Sequence, residues 1–166
     1  MNAVFLDIDG VLNNDNTNAK TPLGYTGINN RLLKLFSYFV KETNAKIILS
    51  TSWKTEWDKD YRKRTEDGHY LNKKFKQLDL LIWDKIDESG TGSFYRGAAI
   101  LQYLEKHPEI THYVILDDFE FDFNNYEELK KHWIQTKASN GFTKEDYEKA
   151  LGIMQLDKKI EQEQER

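Results

Sequence analysis

The chain has 166 residues, of which 39% are hydrophobic and 31% are charged, and its formal net charge is −4 at pH 7. This length and composition predict one globular domain, and the weak negative charge excludes a generally basic nucleic-acid-binding protein but not a local basic patch. The absence of cysteine excludes disulfides, thiolate metal sites and cysteine nucleophiles. Because no apolar run approaches the ~20 residues that span a membrane, and no signal pattern stands at the N-terminus, we expect a soluble, cytoplasmic protein with no membrane partner.

Short apolar runs alternate with helical patterns, which is typical of βαβ units and a parallel sheet. Periodicity and turn residues predict strands at residues 3–7, 46–50, 80–86, 112–117 and 132–136, and helices at 28–41, 72–78, from 93 to a stop at Pro108, at 126–130 and from 143. We therefore expect an α/β, Rossmann-like three-layer fold with a central, mainly parallel five-stranded sheet. One domain is expected over residues 1–156, and residues 157–166 form a charged tail that extends the last helix or frays.

Polar side chains follow three of the predicted strands. They are Asp7 and Asp9 after the first strand, Ser50 and Thr51 after the second, and Asp117 and Asp118 after the fourth. In a parallel sheet these ends meet at one edge, where ligands bind. Two carboxylates about 4 Å apart repel by about 4 kcal/mol at an effective dielectric near 20, so such a cluster needs a cation or protons. Oxygen ligands without cysteine or a histidine pair indicate Mg²⁺ rather than zinc.

The first pair of carboxylates has the chemistry for phosphoryl transfer. An ionised Asp7 can attack phosphorus and form an acyl phosphate, and Asp9 can protonate the leaving oxygen and later activate water. For this pair alone, a simple turn before Gly10 explains the residues equally well. A cap or turn is likewise the structural alternative for Asp117 and Asp118. The ordered partners on other strands favour the functional interpretation.

Several segments resemble the haloacid dehalogenase (HAD) superfamily of phosphatases. The segment FLDIDGVLN resembles its DxDG signature, KIILSTSW its second motif and VILDD its acidic fourth motif. More narrowly, LSTSW, RGAAILQYL, YVILDD and NGFTKEDYEKAL resemble the HAD domain of Swiss Army Knife RNA repair proteins. The resemblance implies a Mg²⁺-dependent phosphomonoester hydrolase that acts through an aspartyl-phosphate intermediate.

The resemblance also implies a role for each motif residue. Asp7 is the nucleophile and a metal ligand, and Asp9 is the general acid and base and gives its backbone carbonyl to Mg²⁺. Either Ser50 or Thr51 binds the transferring phosphoryl group. In the fourth motif Asp117 is favoured as the direct metal ligand, with Asp118 acting through water.

The third motif departs from the family pattern, in which its cation is usually lysine. Here Arg96 stands at the expected place, the start of the helix before the fourth strand, and Lys85 is the second candidate. Arginine holds phosphate bidentately and keeps its proton, which suits the role. A solvated residue at a helix start is the structural alternative for Arg96.

Short connections between the motifs leave no room for a large cap domain. Within the superfamily this resembles enzymes that act on macromolecules, so candidate substrates are RNA or DNA ends and nucleotides, with the 3′ or 5′ position open. The alternatives are a phosphoprotein phosphatase and a non-catalytic phosphate- or RNA-binding module of a larger repair complex. Residues 59–76 hold seven Lys or Arg against three Asp or Glu, which indicates either a solvated surface or a phosphate-backbone track. The oligomeric state is left open.

Overall fold

A computed structural model describes the backbone of residues 1–166 and the side chains of residues 1–155 and 162–166. Strands and helices alternate along the chain. The strands are β1 (Asn2–Leu6), β2 (Lys46–Leu49), β3 (Ile82–Lys85), β4 (His112–Asp117) and β5 (Trp133–Gln135). The helices are α1 (Asn30–Thr43), α2 (Glu66–Lys76), α3 (Arg96–Lys106), α4 (Glu127–His132) and α5 (Lys144–Gln164). Short 3₁₀ helices occupy Ser52–Thr55, Tyr61–Lys63 and Phe123–Asn125.

The five strands form one parallel sheet in the order β3-β2-β1-β4-β5. In the centre of the sheet, Leu6 is in register with Leu49 of β2 and Leu116 of β4. The next residue of each strand therefore reaches the carboxyl edge at the same level. The predicted α/β fold with a central parallel five-stranded sheet is confirmed, and the described residues contain no large cap domain.

The core lies in two layers, one on each face of the sheet. Along β1, Val4 and Leu6 join one buried cluster while Ala3 and Phe5 join the other, as the two-residue period of a strand requires. Helices α1, α2 and α5 cover the first face, and α3 and α4 cover the second. Two helical layers thus hold the three central strands in a fixed register.

Two helix starts differ from the sequence prediction. Helix α2 begins at Glu66 instead of residue 72, because the Thr65 side chain accepts a hydrogen bond from the Gly68 amide (3.2 Å) and caps the helix. Helix propensity does not predict this start, because Gly68 is unfavourable inside a helix. The packing nevertheless requires glycine there, because a Cβ would overlap the Glu56 carbonyl. Helix α3 begins at Arg96 instead of residue 93, which puts the arginine in the first turn.

The backbone of α5 is helical to Gln164, which includes most of the predicted tail. Side chains of residues 156–161 lie outside the described part, and the domain boundary at residue 156 stays a prediction. Within the described residues, none of the helices combines the length and apolar character that crossing a membrane requires.

Candidate active site

Three aspartates meet at the carboxyl edge of the sheet. The Asp7 amide donates to the Leu116 carbonyl (2.9 Å), so the β1–β4 pairing continues one residue beyond the strand. Asp7, Asp117 and Asp118 each place a carboxylate oxygen within 4.8 Å of the others. We call these three residues the acidic cluster. Hydrophobic register therefore brings together side chains that are 110 residues apart in sequence.

Burial controls the protonation of the acidic cluster. Asp7 is 7% exposed and Asp117 is fully buried. Desolvation, followed by repulsion from Asp117, raises the pKa of Asp7 well above its ordinary value of 3.8. Desolvation is also the main cause that raises the pKa of Asp117 to about 6, although Arg96 opposes the rise. Oxygen-only donors that repel one another fit a hard divalent cation such as Mg²⁺, which Asp7, Asp117 and Asp118 would hold.

A buried arginine balances part of this negative charge. Nη1 of Arg96 lies 2.8 Å from Oδ2 of Asp117 and 3.7 Å from Oδ1 of Asp7, while its Nε lies 3.2 Å from Oε1 of Glu88. The guanidinium carbon lies 4.1 Å from the centre of the Phe121 ring. Burial lowers the pKa of Arg96, but the attraction of Asp117 and Asp7 outweighs it and raises that pKa. The guanidinium is therefore a fixed, permanently charged group at the acidic cluster.

The Lys85 side chain points away from the acidic cluster. Its Nζ donates to the backbone carbonyls of Lys54 and Trp57, at 2.8 Å each, and lies 3.3 Å from Oδ2 of Asp58. These bonds anchor the segment that follows β2. Of the two predicted third-motif residues, only Arg96 contacts the acidic cluster.

Both candidate hydroxyl residues are fully buried, but their surroundings differ. The Thr51 hydroxyl lies near the Asp7 carboxylate, whose pKa it lowers in opposition to burial, and it accepts a hydrogen bond from the Trp53 amide (3.3 Å). Ser50 Oγ has no hydrogen-bond partner among the described residues. Thr51 is thus the hydroxyl that lies against the predicted nucleophile.

Asp9 lies outside the acidic cluster. Its Oδ1 accepts from Nδ2 of Asn13 (2.9 Å) and its Oδ2 from Nε1 of Trp53 (3.2 Å). The exposed carboxylate borders an open cleft of about 370 Å³. This side chain is accessible from the cleft, while its role as general acid and base and the contact of its backbone carbonyl with Mg²⁺ stay predictions.

Gly10 permits the close approach of the Asp118 side chain to the turn that follows β1. Its φ of +81° lies in the left-handed region, and a Cβ there would overlap the Asp118 carboxylate. The Thr136 hydroxyl donates to the Gly10 carbonyl (2.7 Å) and ties the turn to the segment after β5. Asp118 can reach the acidic cluster because residue 10 has no side chain.

Three charged residues at the site were not found by sequence reasoning. Glu88 accepts from Arg96 and also pairs with Lys54, whose Nζ lies 3.1 Å from Glu88 Oε2 and donates to the Thr51 carbonyl (3.2 Å). Asp122 accepts from the amides of residues 97 and 98, at 2.6 and 3.1 Å, and so caps α3 where Arg96 begins it. Glu88 and Asp122 stand in irregular segments and Lys54 in a 3₁₀ helix, and the ion pair and the cap form through tertiary contacts, so no sequence pattern marks them.

For the phosphomonoester hydrolysis that the resemblance implies, Glu88→Gln is expected to lower kcat/KM by about 10-fold while the protein stays folded, because a displaced charged group loses its alignment with the substrate. The substitution keeps the shape of Glu88 but removes the charge that holds Arg96 and Lys54. Steady-state kinetics, with thermal melting to verify the fold, measure the effect. Glu120→Gln, at an exposed carboxylate outside the cluster, is the control. Equal kinetics for the two variants contradict a positioning role for Glu88.

Comparison with known proteins gives a family match over most of the chain. The family model described as the HAD domain in Swiss Army Knife RNA repair proteins matches residues 3–147. That span contains all the site residues described above. Neither the curated proteins nor the solved structures give a match.

Proposed function

Since the chain belongs to the family of HAD domains in Swiss Army Knife RNA repair proteins, we propose that it is a Mg²⁺-dependent phosphatase that acts on polynucleotide ends or nucleotides. Family membership favours a phosphatase-type hydrolase or a related activity. The observation that carries the finer proposal is the meeting of the acidic cluster with the Thr51 hydroxyl and the Arg96 guanidinium. These groups supply a nucleophile, a cation site and phosphate-binding donors within one small volume.

In the proposed reaction, a carboxylate oxygen of Asp7 attacks phosphorus and the bond from phosphorus to the leaving oxygen breaks. Asp9 gives its proton to that oxygen, and an aspartyl phosphate forms on Asp7. Asp9 then takes a proton from water, which attacks the same phosphorus and releases phosphate and the free Asp7 carboxylate. The Ile8 amide donates to Asp7 Oδ1 (2.9 Å) and fixes the carboxylate for attack.

Charge on the phosphoryl oxygens needs compensation in a site that already holds several carboxylates. Bound Mg²⁺ would neutralise phosphoryl charge and the mutual repulsion of its ligands. The Thr51 hydroxyl and the Arg96 guanidinium are the side-chain donors of the chain itself that lie beside Asp7. Removing one such donor from an enzyme typically costs about 10²–10³ in rate.

Exposed aromatic residues around the acidic cluster favour a nucleotide substrate. Tyr95 precedes Arg96 and is 56% exposed, Phe119 follows Asp118 and is 53% exposed, and Tyr25, which lines the cleft beside Asp9, is 68% exposed. Aromatic side chains stack on bases with about 1–3 kcal/mol per base. Sugar phosphates and phosphopeptides offer no matching base, so this surface supports nucleotides or polynucleotide ends.

Release of phosphate from an aryl phosphate, with Mg²⁺ and then with EDTA, tests the reaction. We expect Mg²⁺-dependent turnover that EDTA abolishes and Mg²⁺ restores, because the acidic cluster needs a cation to bind a phosphate dianion. The same assay then compares 3′- and 5′-phosphorylated oligonucleotides, mononucleotides, sugar phosphates and a phosphopeptide. Oligonucleotide binding without turnover would assign a binding module, and a preference for the phosphopeptide would assign a phosphoprotein phosphatase.

A further inference from the structure

We infer that a basic cleft beside α1 binds the phosphate backbone of a single-stranded polynucleotide whose terminal phosphate lies at Asp7. The basic cleft is the surface formed by Arg31, Lys34, Tyr38 and Lys144. This inference rests on the proposed function and specifies its substrate class. It predicts that the enzyme prefers oligonucleotides to mononucleotides.

The charge of the basic cleft is opposite to that of the neighbouring active site. The cleft has a volume of about 570 Å³, and its lining contains three cations and no carboxylate. Arg31, Lys34 and Lys144 are exposed, and none of them pairs with a carboxylate among the described residues. In a chain of net charge −4, a lining with cations alone complements a polyanion.

The side of α1 that faces the cleft combines cations with an aromatic ring. Arg31, Lys34 and Tyr38 follow one another at intervals of three and four residues, so they share one side of the helix. Tyr38 is 52% exposed and presents its ring to solvent. Cations that track phosphates beside an aromatic side chain that stacks a base are the combination used by proteins that bind single strands.

A groove beside the active site shares a lining residue with the basic cleft. The volume of the groove is about 420 Å³, and its lining includes Asp9, Gly10 and Asp118 from the edge of the active site together with Asn14, Asp15, Lys20 and Ala138. Asn14 also lines the basic cleft, so the two depressions share a wall.

Backbone contacts fix this connecting wall. The Asp15 amide donates to the Ala138 carbonyl (3.0 Å), and Nδ2 of Asn14 donates to the Asn140 carbonyl (3.1 Å). The loop after β1 and the loop after β5 are thus joined along the groove. The proposed strand would pass from the acidic cluster to the basic cleft along these joined loops.

Four of the seven cations in the predicted alternative track, residues 59–76, have a partner within the chain. Arg62 pairs with Asp60 and Lys59 with Asp84, Arg64 donates to the Asp58 carbonyl, and Lys74 donates to Asn30. Three exposed lysines of this segment remain without such a partner in the described part of the chain, namely Lys63, Lys73 and Lys76. These three provide a matched control, because their removal changes the net charge as much as removal of the cations in the basic cleft.

The experiment compares the triple variant R31A/K34A/K144A with the control K63A/K73A/K76A. The substrates are an aryl phosphate and a terminally phosphorylated single-stranded RNA of about ten nucleotides, a length that spans a typical single-strand site. We expect the cleft variant to lose about 10-fold or more in kcat/KM for the RNA. The slope of log kcat/KM against log salt concentration should also become shallower by about 2, because each of the three lost phosphate contacts contributes about 0.7 to it. Hydrolysis of the aryl phosphate should be unchanged in both variants.

A second measurement tests stacking by Tyr38. Tyr38→Ala should weaken binding of the same RNA to the Mg²⁺-loaded protein, measured by fluorescence anisotropy, while Tyr38→Phe should bind like the wild type because it keeps the ring. Equal losses in Tyr38→Phe and Tyr38→Ala would contradict stacking.

The outcomes separate the two proposals. If the wild type releases no phosphate from any substrate, the proposed function fails, and the basic cleft is then judged by anisotropy with the two triple variants. If the wild type hydrolyses the RNA and the cleft variant behaves like the control, RNA binding by the basic cleft is refuted, while the proposed phosphatase activity is retained. That result would leave the cleft to another partner, such as an acidic protein.

Discussion

Asp7→Asn is expected to abolish phosphate release while the metal-free protein becomes more stable to heat than the wild type at neutral pH. The amide keeps the size of the carboxylate but cannot form an acyl phosphate, so turnover should fall to the background rate. Stability should rise because burial and repulsion from Asp117 raise the pKa of Asp7, so folding disfavours the ionised carboxyl, a cost that a neutral amide avoids. The acidic cluster thus holds a destabilising charge that the reaction requires.

The sign of the pH dependence follows from the raised pKa of Asp7. A carboxyl whose pKa is higher in the folded protein than in the unfolded chain binds its proton more tightly when folded. Its contribution to stability is therefore fully present below the ordinary value of 3.8 and is lost as pH rises through the raised folded value. Melting temperatures in EDTA should agree for wild type and Asp7→Asn near pH 4 and diverge as pH rises.

The control for this prediction is Asp79→Asn. Asp79 is an exposed aspartate before β3, and its φ of 57° is a conformation that asparagine adopts readily. This variant should retain full turnover and a wild-type dependence of the melting temperature on pH. Full turnover by Asp7→Asn would remove Asp7 as the nucleophile, and a lower melting temperature in EDTA at neutral pH would contradict the destabilising burial of its charge.

The convergence of the acidic cluster was predictable because it depends on features that sequence displays. Apolar runs define the strands, parallel strands end at one edge, and a polar residue after such a run is visible without a structure. The register of Leu6 with Leu49 and Leu116 then sets Asp7 beside Asp117. For the same reason the order of the elements was predicted more accurately than the ends of the helices, which depend on single caps such as Thr65.

The choice between Arg96 and Lys85 depends on which side of the sheet each side chain occupies, and the sequence does not display it. Successive residues of a strand point to opposite faces. Oδ2 of Asp84 accepts from the Tyr103 hydroxyl of α3 (2.6 Å), so Asp84 faces the helix that carries Arg96 and Lys85 faces away from it. The register of β3 would have to be known to within one residue to predict this. Ser50 and Thr51 posed the same difficulty at the end of β2.

The contacts of Arg96 with Glu88 and Phe121 were beyond prediction for a different reason. Both partners lie in irregular loops, and Phe121 adopts a φ of 43°, which is uncommon for a residue with a side chain. No propensity favours that conformation at an aromatic residue. It is compatible with the packing of the ring against the guanidinium at 4.1 Å.

Arg96→Ala is expected to have the second large effect, on activity and stability together. Loss of a phosphate-binding donor should reduce kcat/KM for an aryl phosphate by about 10²-fold or more. Removing one member of a buried ion-pair network leaves Asp117 without its cation and Glu88 with Lys54 alone, which should destabilise the metal-free protein by about 3 kcal/mol at neutral pH. Mg²⁺ should restore part of the stability, because it compensates Asp117, but it should not restore the rate.

Two further variants separate charge from geometry in this prediction. Arg96→Lys keeps one positive charge but cannot reach Asp117 and Glu88 with two separate nitrogens, so we expect a rate between those of the wild type and Arg96→Ala.

Lys85→Ala should destabilise the segment after β2, because the Lys85 side chain satisfies the Lys54 and Trp57 carbonyls. It should leave kcat/KM of the folded enzyme within about 3-fold, since it removes no donor from the acidic cluster. Urea denaturation in EDTA and in Mg²⁺, together with kinetics at saturating Mg²⁺, distinguishes the variants. A large rate loss in Lys85→Ala with near-normal kinetics in Arg96→Ala would transfer the role of phosphate-binding cation to Lys85.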